Sequence, residues 1–236
     1  MIDIGLMVSM VLVVAVPVFY ERLRPISRAE PSLRFVDAAT GAAVAGLVTG
    51  RLAALALDDP PSILRFPDLL IIRSGVEFWP GVLVAVVLVA VGAHRGAVDP
   101  WWRLGTLVVP SMLAYGIYDV TCVIRGGCYG PASELGLRPA GASSAMVPVG
   151  LLMGLVVIFG ARLLRRMIDR GTEWPTICLG ALAVVAVVRA IGSIWLPRLG
   201  DGFTRPHWTS IAVAVVACIA LGTVMSIRHR QDEVER

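Results

Sequence analysis

The chain has 236 residues, 57% of them hydrophobic, with a mean hydropathy of +0.79. A soluble domain is usually about 45–50% apolar, so this composition excludes an ordinary soluble enzyme and points to a polytopic membrane protein. The net charge of +4 comes from 21 basic residues, all arginine and dispersed among loops. No dense basic and aromatic stretch suggests a nucleic-acid partner.

Seven apolar spans are predicted, defining an all-α integral membrane bundle. The first, 4–19, could be mistaken for a signal peptide. It follows Asp3, lacks a basic n-region and is trailed by Arg22, Arg24, Arg28 and Arg34, the pattern of an anchor whose N-terminus lies outside. The others are 35–57, 76–91, 104–124, 145–161, 175–196 and 208–227. Each approaches the ~20 residues that cross a bilayer, the fifth being short. Trp101, Trp102, Trp174 and Trp208 fall at span edges, as an interfacial belt would.

Thirteen arginines lie in the loops after spans one, three and five and in the tail 228–236, against six on the opposite side. Positive charge marks the cytoplasmic face, so the C-terminus is expected inside. The whole chain reads as one transmembrane domain. The proline-broken stretch 58–75 reads as an arm on the membrane surface. Gly46 and Gly50, and Gly150 and Gly154, have the four-residue spacing of closely packed helices.

The four cysteines show neither a disulfide nor a zinc pattern. Cys122-x5-Cys128 is too wide for the usual zinc pair, and the histidines, His94, His207 and His229, fall in loops or the tail. Cys178 and Cys218 sit in apolar runs, where small core residues are expected. Neither a metal nor a cofactor is expected.

Charged residues inside spans cost roughly 2.5–3.5 kcal/mol on insertion scales and so carry the most information. They are Asp37, Arg51, Glu77, Asp119 and Arg189, with Arg125 at the end of span four. Asp37 and Arg51 share a helix face but lie about 21 Å apart along it, too far to pair. Asp119 and Arg125, six residues apart, fit one face poorly. Asp119 is left with Arg51, Arg125 or Arg189 as partner. One reading is ion pairing that fixes helix register. The other is a polar cavity whose arginines grip a phosphate, and a phospholipid head group is the obvious anionic ligand in a membrane.

Several stretches carry a resemblance: GLVTGRLAAL (46–55), SGVEFWPGVL (74–83), WWRLGTLVVPSMLAYGIYDVTCVIRGGCYG (101–130), MVPVGLLMGLVVI (146–158), VRAIGSIW (188–195) and FTRPHWTSIAVAV (203–215). In order and spacing, more than identity, the chain resembles the prolipoprotein diacylglyceryl transferase family of bacterial inner membranes. The absence of lysine and the Ala/Val richness also suit a GC-rich bacterial genome. The resemblance implies seven spans and a plasma-membrane location. It also implies transfer of a diacylglyceryl group from phosphatidylglycerol to the lipobox cysteine of a prolipoprotein, whose signal peptide would be a second partner. Arginines would hold the phosphate and stabilise the leaving glycerol phosphate, while a base forms the thiolate.

Arg51, Gly130 and Arg189 match family positions, whereas Trp79 stands at the family's histidine and Asp119 at its signature arginine. Gly127 falls where some members carry a glutamate. Gly150 replaces a glutamine, and Met153 and Ser193 replace glutamates. Glu77 could serve as the base, or be no more than a carboxylate at a helix N-terminus. Arg125 could restore the missing positive charge, or be an interfacial arginine reaching for water. Cys122 and Cys128 are expected to be packing residues. Expected catalytic residues are therefore Glu77 and Asp119, with Arg51, Arg125, Gly130 and Arg189 binding anionic phospholipid. The alternatives are a catalytically silent relative that binds phospholipid or a membrane partner, and a small transporter with an arginine-lined cavity.

Overall fold

The structure, a computed structural model, describes residues 4–26, 35–58, 60–61, 76–139, 141–196 and 204–234. Most of the predicted surface arm lies outside them. Seven α-helices are described: α1 Ile4–Leu23, α2 Phe35–Asp58, α3 Phe78–Arg95, α4 Pro100–Val120, α5 Val149–Asp169, α6 Trp174–Gly192 and α7 Arg205–Val234. A 3-10 turn, Thr121–Val123, extends α4, and a short strand, β1 Ala132–Leu137, follows it.

Six of these helices are long and apolar enough to cross a membrane. The exception, α5, carries Arg162, Arg165, Arg166 and Asp169 in its second half. Large apolar side chains such as Val11, Leu83, Phe159 and Val216 are at least 60% exposed, a surface that suits lipid and not water.

Helix ends follow local chemistry. Pro100 occupies the first position of α4, and Asp99 accepts from the Trp101 and Trp102 amides at 3.2 and 3.1 Å, so the helix begins earlier than hydropathy alone suggests. The α5 helix begins at Val149, not 145. Residues 145–147 are extended and bonded to the strand segment: Ser133 N donates to Ala145 O at 2.9 Å, and Val147 N to Pro131 O at 3.0 Å. The expected tail is largely a continuation of α7, which runs on to Val234.

The chain falls into two compact units, Met1–Ala29 with Gly105–Arg236, and Glu30–Leu104. In the smaller unit α2 packs on α3 through backbone contact. A Cβ on Gly46 would lie 2.7 Å from Gly81 O, and one on Gly50 2.6 Å from Glu77 O. Glu77 N also donates to Gly50 O at 2.9 Å. The end of α2 therefore meets the start of α3, as an antiparallel pair requires.

In the larger unit the core comprises Val109, Met112 and Leu113 of α4, Val157, Ala161, Leu164 and Ile168 of α5, and Ile177 and Ala181 of α6, with Ile26. Gly116 and Gly154 let α4 and α5 touch, since a Cβ on Gly116 would sit 2.9 Å from Gly154 O. The four-residue glycine spacings are thus close-packing surfaces. Trp174 is not simply a belt residue, because its ring fills the space where Gly105 would carry a Cβ.

Contacts in this unit also fix which helix ends lie together. Arg165 of α5 donates to Arg24 O and Pro25 O, both at 2.9 Å, so the C-terminal ends of α1 and α5 are neighbours. At the opposite end of α5, Gly150 N donates to Cys128 O at 3.0 Å, joining its start to the segment after α4. A Cβ on Gly130 would lie 3.0 Å from Trp195 O, just beyond α6. Alternate crossing of α4, α5 and α6 follows.

Candidate functional site

Within the larger unit, charge concentrates near the C-terminal ends of α4 and α6. Tyr115 and Asp119 lie one turn apart on α4, so both face the same neighbour. Asp119 is only 8% exposed. The Tyr115 hydroxyl donates to the Asp119 carboxylate and accepts from Arg189 Nη1 at 2.8 Å. The order is carboxylate, phenol, guanidinium, with opposite charges bridged by one hydroxyl.

Arg189 is thereby the main charged neighbour of Asp119, and Arg125 contributes more weakly. Arg125 Nη2 donates to Tyr118 O at 2.8 Å, and its guanidinium lies 4.0 Å from the Tyr118 ring centroid. Helical spacing made Arg125 a poor partner for this face. The 3-10 turn at Thr121–Val123 removes that geometry by bringing the chain back over the end of α4. Among the described residues, Asp119 Oδ2 and Arg125 Nε are buried without a hydrogen-bond partner. Such a carboxylate oxygen suits a hydroxyl or cationic donor.

Three expectations change here. Cys122 and Cys128 are joined by a disulfide, with Cα atoms 5.8 Å apart, and are not merely packing residues. Their six-residue separation looks too wide for a zinc pair, but Cys128 at φ +58° and Gly126 at φ +72° turn the chain back on itself. Cys218 is exposed on α7 and is no core residue, while Cys178 is partly buried. His207, read as a loop residue, lies within α7, 5% exposed, with Nδ1 2.6 Å from Ser193 Oγ. Ser193 Oγ also donates to Ala190 O at 2.8 Å. Ser193 lies one turn beyond Arg189 and Ser193 N donates to Arg189 O, so the Ser193–His207 pair adjoins the charged cluster along α6.

Gly150 and Gly130 stand where there is no room for a side chain. A Cβ on Gly150 would lie 2.6 Å from Cys128 Cβ and 3.0 Å from Asp119 O. Gly130 is similarly confined, since a Cβ there would lie 2.7 Å from Val149 Cγ2 as well as close to Trp195 O. Met153 fills the space beside Gly192. Gly150 thus sets the start of α5 against Asp119, a buried acidic residue.

In the smaller unit Arg51 is 5% exposed near the end of α2, and Glu77 is the N-cap residue of α3. Glu77 makes no side-chain capping bond, but it stands at the N-terminus of α3, where the helix dipole favours a carboxylate. The Gly50–Glu77 backbone contact places both residues at one end of the α2–α3 pair. Trp79, 9% exposed, is buried two residues further on. The side chain of Asp37 lies outside the described residues.

Fold and site together define a multi-pass, helical membrane protein with ionisable groups held inside its units. No protein-family model matches the chain, and no curated protein matches it at a significant level.

Proposed function

We propose that the protein is a divergent diacylglyceryl transferase-like protein of the bacterial plasma membrane. It crosses the membrane seven times, with its N-terminus outside and C-terminus in the cytoplasm. In this reading Arg189 holds the phosphate of an anionic phospholipid, phosphatidylglycerol, and Asp119 accepts a head-group hydroxyl. The observation that carries it is the Arg189–Tyr115–Asp119 chain at the end of α4. An arginine in a span is costly unless it is paired or used, and the planar guanidinium fork matches the geometry of phosphate oxygens.

Orientation rests on the arginine distribution and on the disulfide. The Cys122–Cys128 segment falls on the arginine-poor side, and disulfides persist outside the reducing cytoplasm.

In the transfer reaction, a thiolate of the prolipoprotein attacks the glycerol carbon bearing the phosphate ester. The carbon–oxygen bond breaks, a thioether forms, and glycerol phosphate leaves. Arg189 would stabilise the charge on the departing phosphate. His207 has the chemistry of a base for the thiol proton within the same unit, and Glu77 is the candidate in the other.

Expression in cells depleted of their own transferase, with lipid attachment to a lipoprotein reporter followed by mass, tests this directly. Modification is expected, and Arg189→Ala is expected to abolish it. His207→Ala and Glu77→Gln then identify the base by which of them lowers the rate. An unmodified reporter at full expression would sink the enzyme reading. A second reading, a lipid-binding relative without transfer activity, draws on Trp79 and Asp119, which occupy the family's histidine and arginine positions as buried residues.

A further inference from the structure

The Cys122–Cys128 pair has a use beyond simple cross-linking. Cys122 lies in the 3-10 turn that ends α4 and is 6% exposed. Cys128 carries its carbonyl to Gly150 N, at the start of α5. The disulfide therefore joins the end of α4 covalently to the residue that binds the start of α5. It does so next to Asp119, whose carbonyl lies 3.0 Å from the Cβ position of Gly150.

Between the cysteines runs the segment that carries Arg125. Its backbone bonds are all local turn bonds: Ile124 N to Thr121 O at 3.0 Å, Arg125 N shared between Thr121 O and Cys122 O, Gly126 N to Val123 O at 3.1 Å, and Gly127 N to Cys122 O at 3.1 Å. Cys128 adopts a left-handed conformation that a residue with a Cβ avoids unless something holds it. The cross-link supplies that hold.

We propose that Cys122 and Cys128 are a modification site for an extracytoplasmic thiol oxidant, and that their oxidation locks the Arg125 segment over the end of α4. The step is thiol–disulfide exchange. One thiolate attacks a disulfide sulfur of the oxidant protein and forms a mixed disulfide. The second thiolate attacks the sulfur of the first cysteine, closing the Cys122–Cys128 bond and releasing the oxidant as a dithiol. Two electrons and two protons pass from the pair to the oxidant. The proposal rests on the orientation given above, which puts this segment outside the cytoplasm. It does not require transferase activity.

A Cys178→Ala, Cys218→Ala variant leaves only the pair to be read. In spheroplasts of a bacterial host, the pair is expected to resist a membrane-impermeant maleimide until an impermeant phosphine reduces it, and then to be labelled from outside. Labelling without reduction overturns the proposal. Labelling only after the membrane is permeabilised overturns the orientation and the proposal with it. In a host lacking its extracytoplasmic thiol oxidant, free thiols are expected to accumulate at both positions, and equal oxidation there rules out an oxidant.

The lock is read on purified protein by trypsin cleavage after Arg125, followed on reducing gels. Reduction, or a Cys122→Ser, Cys128→Ser variant, is expected to speed cleavage on the order of tenfold or more. Unchanged cleavage means that the cross-link does not hold the segment.

Discussion

Asp119→Ala is expected to destabilise the folded protein by about 3 kcal/mol, because it removes the carboxylate from a charged cluster in a low-dielectric interior. The Tyr115 hydroxyl also loses the carboxylate to which it donates. Thermal unfolding in mild detergent checks this. Asp119→Leu combined with Arg189→Met removes both charges and is expected to recover most of the stability, as replacing a buried charged pair by apolar groups often does. If the cluster were only a structural clasp, that double variant would behave as the parent in every assay. In the reading above it is stable and fails to hold phospholipid.

Gly154→Ala has the second large effect. The added methyl would meet Gly116 O and approach Val120 N and Cγ2 at 2.7 Å. Two of these three contacts are backbone atoms, which cannot rotate away, so α4 and α5 must separate. The expected cost is about 2–3 kcal/mol, at the upper end for overpacking. Gly154→Leu is expected to leave no folded protein. Gly222→Ala is the control, since nothing lies within 4 Å of a Cβ there. The yield of monodisperse protein and its melting temperature separate the cases. Equal loss at Gly154 and Gly222 would mean that the α4–α5 contact is not what holds the unit.

The glycine contacts were legible in sequence because their spacing repeats with the helix. Gly46 and Gly50, and Gly150 and Gly154, lie on single faces, and both faces are packed against another element. Their partners Gly81 and Gly116 carry no comparable spacing and needed the packed helices to show. Hydropathy located the helices well but not their ends. Asp99 and Pro100 start α4 early, and extended pairing delays α5 to Val149.

At the candidate site, Asp119, Arg125 and Arg189 were legible because charge inside an apolar run is costly. Tyr115 was not, since a tyrosine in a span is ordinary until its hydroxyl is seen between two charges. His207 was missed because Arg205 and Pro206 made its surroundings look like a loop, whereas these residues open α7. The disulfide was missed because two positive φ angles, and not the spacing of the cysteines, bring Cys128 back to Cys122.

The central claim, that the cluster at the end of α4 holds a phospholipid head group, is tested most directly by native mass spectrometry of the protein released from mild detergent. Phosphatidylglycerol and phosphatidylcholine with the same acyl chains would be supplied in equal amounts. The parent is expected to retain phosphatidylglycerol preferentially, and Arg189→Ala to lose roughly tenfold or more of that retention while staying folded. No preference in the parent, or equal retention by Arg189→Ala, would contradict the account.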